Sequence, residues 1–93
     1  MKRLQRKKMQ VVPFSYNADP GRNIFLAGTF NEWDVQEHKL DDLGNGDYSI
    51  SLKLNPGTYE YKFIVDDEWC LDQCNDVTAC NECGYVNNLL ILN

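Results

Sequence analysis

Ninety-three residues, 43% hydrophobic and 12% aromatic, make one globular domain near the lower size limit for a self-supporting core. A core of that size leaves no room for a deep catalytic cleft with its supporting shells. The formal charge is −5, yet Lys2, Arg3, Arg6, Lys7 and Lys8 crowd the first eight positions, and from Met9 onward four bases face fourteen acids. So acidic a body repels phosphate backbones, which excludes nucleic acid as the partner of the folded part.

Residues 1–9 read as a basic, flexible arm and residues 10–93 as a single module. No apolar run reaches the roughly 18 residues needed to span a bilayer, and no signal-peptide pattern follows the basic segment. The expectation is a cytoplasmic protein without a membrane partner.

In chain order, Gln10–Tyr16 is β-rich, and Pro13 marks it as an edge strand or a bulge. Asp19-Pro20-Gly21 is a turn, followed by a short apolar strand over 23–28. Residues 31–39 are polar and read as a loop with a tight bend. Gly44-Asn45-Gly46-Asp47 is a hairpin turn, because asparagine and glycine tolerate positive φ. Strict alternation then places Tyr48, Ile50, Leu52 and Leu54 on one strand face. After the Asn55-Pro56-Gly57 turn, Tyr59, Tyr61, Phe63 and Val65 share one face and Glu60, Lys62 and Ile64 the other. Asp66-Asp67 turns the chain into a short return strand at Glu68-Trp69-Cys70. Residues 71–84 read as a loop, and 86–92 as the last strand. This pattern predicts an all-β fold, an immunoglobulin-like antiparallel β-sandwich of about six to eight short strands.

Trp33 and Trp69 both follow bends, where an indole is poorly placed to fill a core. Lys62 lies on the polar face of its strand, and the strand carrying Trp69 is its hairpin partner, so the two side chains come close. Indole faces stack on the C–H faces of pyranose rings, and a nearby ammonium or amide fixes the hydroxyls. On composition alone, a tryptophan that merely caps the end of the sandwich is an equal reading.

Three linked stretches carry a resemblance that favours the sugar site. Phe25-Leu26-Ala27-Gly28-Thr29-Phe30-Asn31-Glu32-Trp33, the run from Asn55 to Trp69, and Gly84-Tyr85-Val86-Asn87-Asn88 resemble the glycogen-binding modules of AMP-activated kinase β subunits and the related family 48 carbohydrate-binding modules. The resemblance runs from about residue 11 to the end of the chain. It implies an early-set immunoglobulin-like sandwich that binds α-1,4-linked glucan (glycogen, starch or maltooligosaccharide) without catalysis or cofactor. The family's binding residues fall on Trp33 and Trp69 for stacking, and on Lys62 and Asn87 for hydrogen bonds to hydroxyls. Cys83 stands where the kinase modules carry a leucine, Tyr85 where they carry a threonine, and Asp72-Gln73 where Asp-Pro is usual. A partner enzyme or kinase-type complex is the second partner implied. The competing reading is a protein–protein docking module of the same fold that has lost sugar binding.

Cys70, Cys74, Cys80 and Cys83 follow a C-x3-C-x5-C-x2-C spacing, compatible with free thiols, disulfides or a zinc ion. Asp66, Asp67, Glu68, Asp72 and Asp76 lack the spacing of a calcium loop and read as a solvated acidic rim. His38, the one histidine, has no nucleophile pattern near it and reads as structural or exposed.

Overall fold

Alternation of apolar and polar side chains builds two antiparallel sheets that bury their apolar faces against each other, an immunoglobulin-like sandwich. The computed structural model describes residues 9–93; the basic arm read over residues 1–9 lies, apart from Met9, outside the described residues. In chain order the strands are β1 (Gln10–Asn17), β2 (Ile24–Gly28), β3 (His38–Lys39), β4 (Asp41–Gly44), β5 (Asp47–Leu54), β6 (Gly57–Val65), β7 (Glu68–Cys70), β8 (Thr78–Cys80) and β9 (Val86–Leu92). One sheet has the order β1-β5-β4; the other runs β3-β2-β6-β9-β8, with β7 added to β6 beyond the end of β9. No helix among the described residues is long and apolar enough to cross a membrane.

The inward face of β6 supplies the centre of the core. Tyr61 and Phe63 are buried between Phe14 of β1 and Ile24 and Leu26 of β2. Their rings belong to an aromatic chain: Phe14 meets Tyr61 edge-on with centroids 5.2 Å apart, and Tyr16 meets Phe63 at 5.0 Å. From β5, Tyr48 is fully buried, and its hydroxyl donates to the Asp19 carbonyl at 2.7 Å and accepts from the Arg22 N–H at 3.0 Å. That pair of bonds fixes the crossing between the two sheets at residues 18–23. Leu40 alone links β3 of one sheet to β4 of the other; it is buried and its N–H donates to the Ile24 carbonyl at 2.8 Å.

The turns follow their residues. Asn45 and Gly46 both have positive φ (56° and 84°), the geometry of a two-residue hairpin whose twist matches its strands. A Cβ on Gly46 would also sit 2.6 Å from the Ala18 carbonyl oxygen. Asp66 and Asp67 repeat the pattern at φ 47° and 70°. Pro13 sits opposite Ser51 on β1, which has β5 as its one sheet neighbour, so the edge-strand alternative is the right one and no bulge forms there.

Two segments differ from the sequence expectation. The polar segments read as loops over 31–39 and 71–84 contain β3 and β8, which brings the strands among the described residues to nine. Strands of two and three residues at a sheet edge are made by backbone pairing alone, so side-chain alternation does not announce them. The loop joining β7 and β8 is organised by polar side chains rather than solvated. Asn88, fully buried on β9, accepts from the Asp72 N–H at 2.7 Å and donates to the carbonyls of Asp72 and Asn75 at 3.2 and 3.0 Å. The Asp72 carboxylate accepts from the Tyr61 hydroxyl at 2.8 Å and from the Cys74 N–H at 2.9 Å. Asp72 is therefore a bonding node, not part of a solvated rim. Burial, followed by the neighbouring Asp72 carboxylate, pushes the Tyr61 hydroxyl far above its ordinary pKa, although the Asn75 amide pulls the other way. The hydroxyl stays protonated, and remains a donor, at any physiological pH.

The bend between β2 and β3 begins as a 3-10 turn, Thr29–Asn31, and then places Glu32 and Trp33 in the left-handed region at φ 56° and 60°. Asn31 holds the bend from inside: its Oδ1 accepts from the Gly28 N–H at 3.1 Å and its Nδ2 donates to the Asp34 carbonyl at 3.1 Å. The Trp33 N–H closes the bend on the Gly28 carbonyl at 2.9 Å. Gly28 has no room for a side chain, since a Cβ there would overlap the Glu60 carbonyl oxygen and lie 2.7 Å from the Phe30 ring.

Asn88→Ala orphans three backbone groups of the 71–77 loop and should destabilise the fold by about 3 kcal/mol, a fall of roughly 10–20 °C in thermal midpoint. A loss under about 1 kcal/mol in urea titration would mean the loop is held by something else. Glu32→Gly should act in the opposite sense. Relief of the left-handed conformation, about 1–2 kcal/mol, exceeds the entropy cost of glycine, about 0.5–1 kcal/mol, so the variant should melt a few degrees higher.

Candidate functional site

The outward face of β6 carries Glu60, Lys62 and the buried Ile64, and the side chains that form the site are positioned relative to that row. Trp69 on β7 stands directly across from Ile64, so it shares this face. Ala27 of β2 is across from Lys62 on the other side. One step beyond the last β6–β9 pair, Tyr61 and Asn88, the register sets Asn87 opposite Lys62. The Trp33 bend folds over the same end of the sheet. An open groove of about 700 Å³ results, lined by Thr29, Trp33, Glu60, Lys62, Trp69, Asn81, Tyr85 and Asn87.

Five of the six sequence-proposed binding residues (Trp33, Lys62, Trp69, Tyr85 and Asn87) line this groove. Cys83 does not. It lies in the turn between β8 and β9, where its N–H donates to the Asn81 Oδ1 at 2.9 Å and its side chain is exposed. Gly84, at φ 85°, reverses the chain immediately after it, so Tyr85 rather than Cys83 reaches the groove.

The indoles of Trp33 and Trp69 meet edge to face, with centroids 6.1 Å apart and planes at 66°. Trp69 is half exposed, and Tyr85 is 66% exposed. The three aromatics thus offer a bent apolar wall rather than a flat shelf. The alternative in which a tryptophan caps the sandwich fails for Trp69, whose ring leaves half its surface to solvent.

Polar groups line the other side. The Asn87 Nδ2 donates to the Glu60 carboxylate at 3.0 Å, and the Glu60 N–H donates to Thr29 Oγ1 at 3.1 Å, just past the point where β2 stops pairing with β6. Asn81 ties the β8–β9 turn together, accepting from the N–H groups of Cys83 and Tyr85 on its Oδ1. Asn81 itself lines the groove. Among the described residues no ion pair includes Lys62. Lys62 and the Asn81 amide are donors, Glu60 is an acceptor, and the Tyr85 hydroxyl serves as either. Thr29, Glu60 and Asn81 were not proposed from sequence. The outward alternation of β6 already carried Glu60, whereas Thr29 and Asn81 sit in irregular backbone that gives no periodic signal.

The four cysteines are free thiols: Cys70 is partly buried and Cys74, Cys80 and Cys83 are exposed. Among the described residues no three histidine, cysteine or acidic side chains converge as a metal site, so the zinc alternative has no geometric support. Cys70 points away from Trp69 into a second, smaller concavity of about 460 Å³ with Tyr16, Arg22, Asp66 and Glu68. There the Arg22 guanidinium bonds Asp66 at 2.7 Å and, with the Asn23 N–H, holds that carboxyl below the usual carboxylate range. Asp66, like Asp72, therefore makes fixed bonds where a solvated rim was expected. His38 packs against Phe30 with ring centroids 6.2 Å apart, in keeping with the structural reading.

The model of the family described as the glycogen recognition site of AMP-activated protein kinase matches residues 11–93. The chain is 45% identical over 69 residues to "Protein PTST homolog 2, chloroplastic" of Arabidopsis thaliana, covering 74% of this chain and 12% of that protein. It is 29% identical over 90 residues to the 5'-AMP-activated protein kinase subunit beta-2 of Homo sapiens, covering 97% of this chain and 31% of the subunit. A crystal structure of a maltogenic amylase from S. marinus superposes with a TM-score of 0.81 at 28% identity, over 95% of this chain and 14% of the amylase. The chain thus spans a third or less of the length of each of these proteins. With a family match over nearly its whole length and the matching sandwich beneath it, the chain belongs to the carbohydrate-binding family of the AMP-activated protein kinase glycogen recognition site.

Proposed function

We propose that the groove binds a chain of α-1,4-linked glucose and performs no chemistry on it. The observation that carries this reading is the 66° corner between Trp33 and Trp69, set beside Lys62 and Asn87. An α-1,4 linkage turns each glucose relative to the next, so successive rings of the chain lie at an angle and the chain coils. A bent aromatic wall follows such a chain, whereas the flat ribbon of a β-1,4 glucan fits a coplanar shelf. Hydroxyls at the ring edges then meet the ammonium of Lys62 and the amide of Asn87.

The magnitudes suit a polymer ligand. Two indole faces covering roughly 80 Å² each at about 25 cal/mol per Å² give about 4 kcal/mol, a Kd of about 1 mM. Hydrogen bonds at about 1 kcal/mol each bring this toward the micromolar range. Such contacts become useful when many equivalent chain segments are offered at once. Glycoside hydrolysis would need two carboxyl groups about 5–10 Å apart across the scissile bond. Among the described residues one carboxylate, Glu60, lines the groove, and Asn87 engages it.

The family's description as a glycogen recognition site and the maltogenic amylase among the similar structures support the same ligand class, and the relatives also widen the setting. The module serves a longer protein or complex as its glucan contact. Its compartment is the cytoplasm expected from sequence, or a plastid, as in the name of the Arabidopsis relative.

Electrophoretic mobility should fall in native gels containing glycogen or amylose, and calorimetry should give a sub-millimolar to millimolar Kd for maltoheptaose. Cellohexaose should bind at least about tenfold more weakly. Trp69→Ala should abolish retardation while shifting the thermal midpoint little, since half the ring is already in solvent. Unretarded wild-type protein, with no fluorescence response to maltoheptaose or β-cyclodextrin, would refute the sugar site and put a protein-docking role in its place.

A further inference from the structure

Glu60 is the one groove residue whose charge opposes that of Lys62, and its surroundings fix it there. Its backbone N–H is held by Thr29 Oγ1 at 3.1 Å, and its carboxylate receives the Asn87 Nδ2 at 3.0 Å. Asn87 is 6% exposed, so its amide has little freedom to choose another partner. With the NH2 turned to Glu60, the amide oxygen faces the other way. No protein donor among the described residues reaches that oxygen, and no fully buried side-chain oxygen or nitrogen lacks a partner, so the oxygen opens to the groove. Glu60 thereby makes Asn87 an acceptor toward the ligand rather than a donor.

Two residues along β6, on the same outward face, stands Lys62. Side chains at this spacing lie about 7 Å apart, close enough for their charges to compensate each other where a ligand excludes water. The groove is therefore close to neutral although it holds two ionised groups. Its acceptors, the second oxygen of Glu60 and the Asn87 amide oxygen, both require a hydroxyl hydrogen from the ligand. A glucose unit with a free hydroxyl supplies it. A unit esterified there by phosphate or another anion supplies none and brings a negative charge against a carboxylate.

Resting on the glucan reading above, we propose that Glu60 is a specificity-determining residue that makes the groove select unsubstituted, uncharged glucan over chains bearing anionic esters. Glu60 works in two ways that substitution separates. Its oxygen orients Asn87, a task a glutamine amide oxygen also performs. Its charge cancels Lys62, which glutamine does not.

The test is calorimetry with maltoheptaose and with maltoheptaose carrying one phosphate monoester, using wild type, Glu60→Gln, Glu60→Ala and Trp69→Ala. Glu60→Ala should weaken maltoheptaose about tenfold, and Glu60→Gln, which keeps the Asn87 contact but exchanges the second oxygen for an NH2, should weaken it measurably less than Glu60→Ala. Wild type should prefer the neutral sugar, and Glu60→Gln should shrink that preference at least about fivefold, with thermal midpoints unchanged. A Glu60→Ala variant that binds maltoheptaose like wild type, or a Glu60→Gln variant with the wild-type preference, would overturn the assignment of Glu60 alone. Wild type that binds neither sugar, matching Trp69→Ala, would overturn the glucan site and this assignment together.

Discussion

The alternation of side chains along β6 is the constraint from which both the core and the groove follow. A pleated strand must send Tyr59, Tyr61, Phe63 and Val65 to one side and Glu60, Lys62 and Ile64 to the other. The first set makes the aromatic chain that joins the two sheets. From the second, Glu60 and Lys62 line the groove, while Ile64 is buried across from Trp69. A shift of one residue in the pairing of β6 would bury Lys62 and expose Phe63, so the register that stabilises the fold also fixes the site. In so small a domain there is no separate scaffold, and the sheet that carries the ligand face is half of the core.

Around that strand, asparagine side chains set the irregular backbone that brings the remaining groups into place. Asn31 closes the bend that presents Trp33, Asn81 closes the turn that presents Tyr85, and Asn88 anchors the loop that follows Trp69. Each does so by exchanging its amide with backbone groups that no strand could satisfy. The left-handed conformation of Trp33 is the cost of this arrangement, about 1–2 kcal/mol held at the groove rather than in the core. A groove assembled in this way is largely preformed, so binding spends little on ordering the protein.

Much of this was legible in the amino-acid sequence, because periodicity reports directly on which face is buried. The faces of β5 and β6, the hairpin at Asn45-Gly46, the turn at Asp66-Asp67 and the nearness of Lys62 to Trp69 all follow from alternation or turn chemistry, and Pro13 narrowed β1 to an edge strand or a bulge. The short strands β3 and β8 did not, since backbone pairing at an edge leaves no pattern in side chains. Asp72 looked like one more exposed acid because its partners, Tyr61 and Asn88, meet it only once the loop is folded over β9. Cys83 and Tyr85 are two residues apart, and in a straight strand they would share a face. The left-handed Gly84 breaks that rule and separates them. The contact between Glu60 and Asn87 depends on the β6–β9 register across 27 residues of chain, which no local signal encodes.

The central claim is that a glucan chain lies across the outward face of β6, in the corner between the two indoles. Titrating isotopically labelled protein with maltoheptaose, while following backbone amide, asparagine amide and indole N–H resonances, tests it most directly. The largest shifts should fall on the indoles of Trp33 and Trp69, the Asn87 amide and the backbone of residues 60–62, with the β1-β5-β4 sheet silent. Shifts centred on that other sheet, or none at saturating sugar, would contradict it.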